Sequence, residues 1–184
     1  QMRLKTLRRR NADTVKQSEE ALADRILCVH GTDIHTEKMD YRALAARAKE
    51  NRVTGKGKHR SKKRFGSSIA GHAPARFLCI LNRKLSYIGK ELHLVDTRKY
   101  RASQFDHVTG GYTKVSLSTR WKEVGGHPVQ RDLYSAFLLM NAAGDEHPDI
   151  ARCNDTFETF LKFHDTCICE LKEAGISRPA TFGL

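Results

Sequence analysis

Between Arg47 and Arg64 the sequence reads RAKENRVTGKGKHRSKKR, in which nine Lys and Arg side chains meet one acid, Glu50, two glycines and no large aromatic residue. Such a stretch cannot bury itself, so a mobile basic arm is expected over residues 47–66. Any core must come from the segments on either side. The charge extends beyond the arm: 33 Lys and Arg against 21 Asp and Glu give the 184 residues a formal charge of +12. That balance points to a polyanionic partner, and nucleic acid is the expected one. Arg8, Arg9 and Arg10 near the N-terminus, with Lys56, Lys58, Arg60, Lys62, Lys63 and Arg64 in the arm, are the candidate phosphate contacts. Without aromatic residues in the arm, neither base stacking nor sequence-specific reading is expected there. The competing reading of the arm is a solvated loop.

A membrane surface would call for an exposed apolar helical stripe beside the basic residues, which the arm lacks. No apolar run approaches the roughly 18 residues of a membrane span, and no apolar signal-peptide core follows the basic N-terminus. A cytoplasmic chain without a membrane partner is therefore expected. Cys28, Cys79, Cys153, Cys167 and Cys169 form no C-x-x-C pair, which argues against a disulfide framework and a zinc ribbon. Reduced, half-buried thiols are expected.

The length suits one domain with a core. Residues 1–30 read as a basic helix in which Leu4, Leu7, Val15, Leu22 and Ile26 share much of one face, with a break near Asn11 or Asp13 as an alternative and Gly31 as the stop. The sequence begins at Gln1 already in helical pattern, which suggests a cut through a longer protein. Residues 31–184 read as an α/β domain carrying the arm and an insertion at 100–128. In TDIHTEKMD, Ile34 and Thr36 alternate with polar neighbours, a short strand that delivers Glu37 at or near its C-terminal end. Pro74 opens a helix with Phe77, Leu81, Leu85 and Ile88 at helical spacing, and KELHLVDT follows as a strand with Leu92, Leu94 and Val95 inside. Asp96 reads as a turn residue. The insertion offers a hairpin through Gly110 and Gly111, packed by Tyr112, Leu117 and Trp121; Tyr100, Phe105 and Tyr112 are read as core before base-stacking residues. A last helix over 154–174 has Phe157, Phe160, Leu161, His164, Ile168 and Leu171 as a core stripe, and the tail SRPATFGL should be loose.

Two carboxylates stand out. In HPVQRDLYSAFLLMN, Leu133, Ala136, Phe137 and Met140 mark one helical face, and Pro128 and Asp132 fit its first turn. The plain role for Asp132 is complementing the helix dipole, a contribution of roughly 0.3–1 kcal/mol. The sharper role is as a metal ligand together with Glu37: a glutamate at a strand end and an aspartate at a later helix start, in a basic α/β chain, are parts of a two-metal phosphodiesterase, whose paired Mg²⁺ ions take shared carboxylate oxygens.

The order IHTEKMDYRALAAR, a basic arm, RFLCILNRKLSYIGKELHLVDTRKYRASQFD and then VQRDLYSAFLLMNA resembles the C-terminal half of the TnpB (OrfB-type) transposase family, related to type V CRISPR nucleases. The resemblance implies an RNase H-like (RuvC) fold and a Mg²⁺-dependent DNA endonuclease acting in transposition, with a guide RNA as a further partner. Glu37 would match the family's V-x-E-x-L-like segment and Asp132 its R-D-x-x-A-A-like helix, both as catalytic metal ligands. Two departures follow. The family's zinc ribbon has no counterpart here, so no structural Zn²⁺ is expected and the insertion must hold itself. The family's first aspartate has no match either, because Asp24 falls in the helical reading and Asp33 on the strand of Glu37. A partial RuvC-like domain is expected, inactive and aggregation-prone unless a missing N-terminal half or a partner chain supplies the rest. The alternative is a nucleic-acid-binding module without chemistry.

Overall fold

A computed structural model of the chain describes residues 2–47, 53, 55, 57–58, 66–116, 118–144, 146–174 and 183. In chain order its elements are α1 (Met2–His30), β1 (His35–Glu37), α2 (Tyr41–Ala45), α3 (Gly66–His72), α4 (Pro74–Ser86), β2 (His93–Val95), α5 (Thr97–Tyr100), β3 (Phe105–Asp106), β4 (Gly111–Tyr112), β5 (Trp121–Val124), β6 (His127–Gln130), α6 (Arg131–Met140) and α7 (Ile150–Glu173). The protein is of mixed α/β class. It divides into two compact units, Gln1–Ile34 with Met39–Leu92, and His35–Lys38 with His93–Leu184.

In the first unit α1 runs without a break at Asn11 or Asp13, and Gly31, at φ +89°, ends it in the left-handed conformation that glycine adopts without strain. Its C-terminal part packs on α4, which Pro74 opens as expected. Ala23 of α1 lies with Ile80, Leu81, Leu85 and Leu92, flanked by Ile26, Leu27, Ile34 and Phe77. Ion pairs edge this seam. Arg76 donates Nε and Nη2 to the two oxygens of Glu19 at 2.6 and 3.0 Å, Arg83 reaches Glu20 at 2.6 Å, and Lys84 reaches Asp24 at 2.7 Å. The partners ascend together along both helices, so the helices run parallel.

The expected apolar face of α1 is corrected by this packing. Leu4 and Leu7 are each 54% exposed and Leu22 is 48% exposed, whereas Glu19 and Ala23 are buried. The packing against α4 involves the C-terminal part of the helix, so a stripe counted over its whole length misplaces the buried face. Ile88 is also exposed, because α4 ends at Ser86.

In the second unit β1 and β2 pair in parallel, His35 with His93, Thr36 with Leu94 and Glu37 with Val95. The Lys38 N–H extends the ladder to the Val95 carbonyl at 2.9 Å. Val95 goes into the core, but Leu94, expected inside, points out, since successive strand residues face opposite sides. Asp96, read as a turn residue, caps α5 by accepting from the N–H groups of Arg98 and Lys99 at 2.8 and 3.3 Å, which holds its carboxyl below the ordinary range.

The region without cysteines at 100–128 is two hairpins. β3 and β4 pair across Gly110 as expected, Phe105 opposite Tyr112. β5 and β6 form a second, unexpected hairpin through Gly125 and Gly126, both at positive φ, the geometry that suits a two-residue turn between twisted strands. Pro128 therefore belongs to β6 and not to the first turn of the following helix. Tyr100 and Phe105 are core, while Tyr112 is 40% exposed under the Arg101 guanidinium, 4.1 Å from its ring centre. Leu117 lies outside the described residues, as do most residues of the tail.

The buried face of α6 is Arg131, Tyr134, Phe137 and Leu138; of the expected Leu133, Ala136, Phe137 and Met140, Phe137 alone is fully buried. Ala136 is exposed and Met140 is 51% exposed. Apolar residues surround this helix, so spacing alone does not choose a face; the aromatic residues of α7 do. Phe160 lies 4.6 Å from Phe137 and 6.2 Å from Tyr134, ring centre to ring centre. α7, capped by Asp149, starts four residues before the expected Asn154 and turns Phe157, Phe160 and Leu161 to this core, with His164 and Ile168 buried further along. The cysteines are unpaired, but Cys28, Cys79 and Cys169 are exposed rather than half buried. Among the described residues no helix is long and apolar enough to cross a membrane.

If α6 and α7 stand on this aromatic contact, Phe137→Ala should cost about 3–5 kcal/mol, the usual range for emptying a buried aromatic site, read as a lower urea midpoint. Met140→Ala, on the exposed face, should leave the midpoint nearly unmoved.

Candidate functional site

Glu37 is the last residue of β1, half buried, and burial raises its carboxyl above the ordinary glutamate value. Asp132 is the second residue of α6, its side chain 57% exposed. α6 packs against β1, so neighbouring elements of one unit carry the two carboxylates.

The capping role open to an acid at this helix start belongs instead to Gln130. The Gln130 side-chain oxygen accepts the N–H groups of Asp132 and Leu133 at 2.7 and 2.8 Å, and its amide nitrogen donates to Asp132 Oδ2 at 3.3 Å. The buried Arg131 places Nε 3.8 Å from Asp132 Oδ1 and donates Nη1 to the Ser116 carbonyl at 3.1 Å. Asp132 thus faces outward with an arginine beside it. Both candidate ligands offer hard oxygen donors, and the raised Glu37 carboxyl marks a charge that water solvates poorly and that a cation would steady. That donor set fits Mg²⁺.

Of the candidate phosphate contacts, Arg8, Arg9 and Arg10 are exposed on α1, with Arg9 Nε 3.8 Å from Asp13. Lys58 is exposed; Lys56, Arg60, Lys62, Lys63 and Arg64 lie outside the described residues.

Sequence reasoning missed a buried polar cluster under the hairpins. Lys122 of β5 donates to the Phe105 carbonyl at 2.7 Å, and its ammonium sits 4.1 Å from the centre of the Tyr134 ring. Tyr134 shares its hydroxyl with the His107 backbone N–H at 3.1 Å and His107 Nδ1 at 2.6 Å. Burial pushes Lys122 down to about 8 and lowers His107. His164 accepts the Gln130 backbone N–H on Nε2 at 3.0 Å and bonds Asp165 through Nδ1 at 2.8 Å. These bonds tie β3, β5, β6, α6 and α7 together where cysteines are absent. A lysine in a strand and a histidine after a hairpin carry no periodic signal, so only packing reveals them.

Glu37 and Lys122 yield pH tests. A carboxyl raised by burial stabilises the fold least once it is ionised, so Glu37→Gln should raise the melting temperature at neutral pH, and the gain should vanish as pH falls below 4.5. A lysine lowered from 10.5 to about 8 binds fewer protons folded than unfolded between those values. The stability of the wild type relative to Lys122→Met should therefore rise with pH across that window, read by urea denaturation at fixed salt.

No family model matches this sequence, and no curated protein is similar to it at a significant level.

Proposed function

We propose that the chain is the part of a TnpB-type transposase that carries the second and third acidic segments of an RNase H-like (RuvC) nuclease domain, acting on DNA in transposition. The observation that supports this most is the placement of Glu37 at the C-terminal end of a parallel strand, with the helix that carries Asp132 in its first turn packed against that strand. Loops and helix starts at the C-terminal ends of parallel strands are where α/β sheets hold ligands. In this reading Glu37 and Asp132 hold Mg²⁺ through their oxygens. The bound ion supplies Lewis acidity at the scissile phosphate. Gln130 keeps the start of α6 in place while Asp132 faces the ligand, and Arg131 restrains the Asp132 carboxylate. Arg8, Arg9, Arg10 and the basic arm hold the polyanion, DNA with or without an RNA strand. Two carboxylates do not complete a two-metal site, so cleavage on this reading requires a third acid from another segment or chain.

The second reading is a nucleic-acid-binding module without chemistry, favoured by the charge of +12 alone. The two differ in metal dependence. Mn²⁺ titrated by calorimetry into the wild type should bind, and Glu37→Ala and Asp132→Ala should each abolish the binding; no binding by the wild type would leave the module. On either reading, replacing Arg8, Arg9 and Arg10 by alanine should flatten the dependence of DNA affinity on salt, by roughly 0.9 in the log–log slope for each phosphate no longer neutralised.

A further inference from the structure

The register of β1 and β2 sets His35 directly beside His93. The two imidazoles are stacked, ring centres 4.6 Å apart and planes 28° from parallel, and a ligating nitrogen of each lies within 4.8 Å of one on the other. His35 is partly buried and His93 exposed. Two imidazole nitrogens bound to one tetrahedral ion at about 2.0–2.1 Å stand roughly 3.3 Å apart. The ladder hydrogen bonds fix the strand spacing, so binding an ion asks only for changes in the side-chain torsions of the pair.

We propose that His35 and His93 form a two-histidine site for a transition-metal cation of the Zn²⁺, Ni²⁺ or Cu²⁺ class. Imidazole selects these ions and is a poor ligand for Mg²⁺, whereas the carboxylates of Glu37 and Asp132 favour the hard ion, so the site is chemically separate from the one proposed above. It is also close to it. His35 and Glu37 are two residues apart on one strand and share a face, so a cation on the histidine pair sits about 6.6 Å along the strand from the level of Glu37. The site does not rest on the nuclease reading, because the histidine pair exists whatever the carboxylates do.

The test is footprinting of the full chain with diethyl pyrocarbonate, read residue by residue by mass spectrometry, with and without Ni²⁺. Joint protection of His35 and His93, at Ni²⁺ concentrations that leave the exposed His30, His72, His127 and His147 reactive, is the expected result. In His35→Asn, protection of His93 should need more than roughly tenfold more Ni²⁺, and the reverse should hold in His93→Asn, since losing even an outer partner of a metal ligand costs about that much affinity. Glu37→Gln should keep the protection. Equal protection of all exposed histidines, no protection of the pair in the wild type, or protection of His93 that survives His35→Asn would each overturn the site. The wild-type measurement stands by itself if a variant fails to fold, and the Glu37→Gln result separates failure of this site from failure of the carboxylate site.

Discussion

The second unit depends on a parallel pairing of three residues with three, His35–Glu37 with His93–Val95. Everything between those strands in sequence, including the basic arm, is a connection that the pairing must close, and closing a long loop costs entropy that grows slowly with its length. Three ladder positions do not offset that cost alone. Val95, at 1% exposure, anchors the pair in the core of the unit, and α6 packs against β1. The same pairing that makes the unit one body sets Glu37, His35 and His93 on a common face.

The cluster of Lys122, Tyr134, His107, Gln130 and His164 fills the role that a metal-bound ribbon would fill in a small hairpin-rich region. A ribbon joins its hairpins through thiolates around an ion; here a half-buried ammonium joins them through a carbonyl and an aromatic face. The substitution has a thermodynamic cost, since burying a cation lowers its affinity for the proton. Its gain is geometric: β5 is tied to β3 by the Lys122 bond, β6 to α7 by the Gln130–His164 bond, and α6 to the turn after β3 by the Tyr134–His107 bonds.

Much of the element order is legible in the sequence, because strong local signals mark it. Pro74 opens α4, Gly31 ends α1, Gly110 turns the first hairpin, and the alternation around Thr36 makes β1. What spacing does not reveal is which face of an element is buried, because a partner decides that. Leu4 and Leu7 share a stripe with residues that pack, yet both are exposed; the apolar α6 takes its buried face from Phe157 and Phe160 rather than from its own periodicity. The candidate carboxylates are legible as residue types at element ends. The stacked histidines are not, since they become neighbours only through a strand register that no local pattern encodes.

The cap on α6 has a further consequence. Because Gln130 satisfies the first N–H groups of the helix, Asp132 is relieved of capping and keeps only its favourable place in the helix dipole. On the nuclease reading proposed above, folding and chemistry thereby fall to separate residues two positions apart. Under selection for chemistry alone Asp132 can be held fixed while Gln130 drifts among other capping residues, and once that selection lapses Asp132 can be lost without unravelling the helix. A lineage that abandons the reaction and keeps the scaffold would leave its record in that pair.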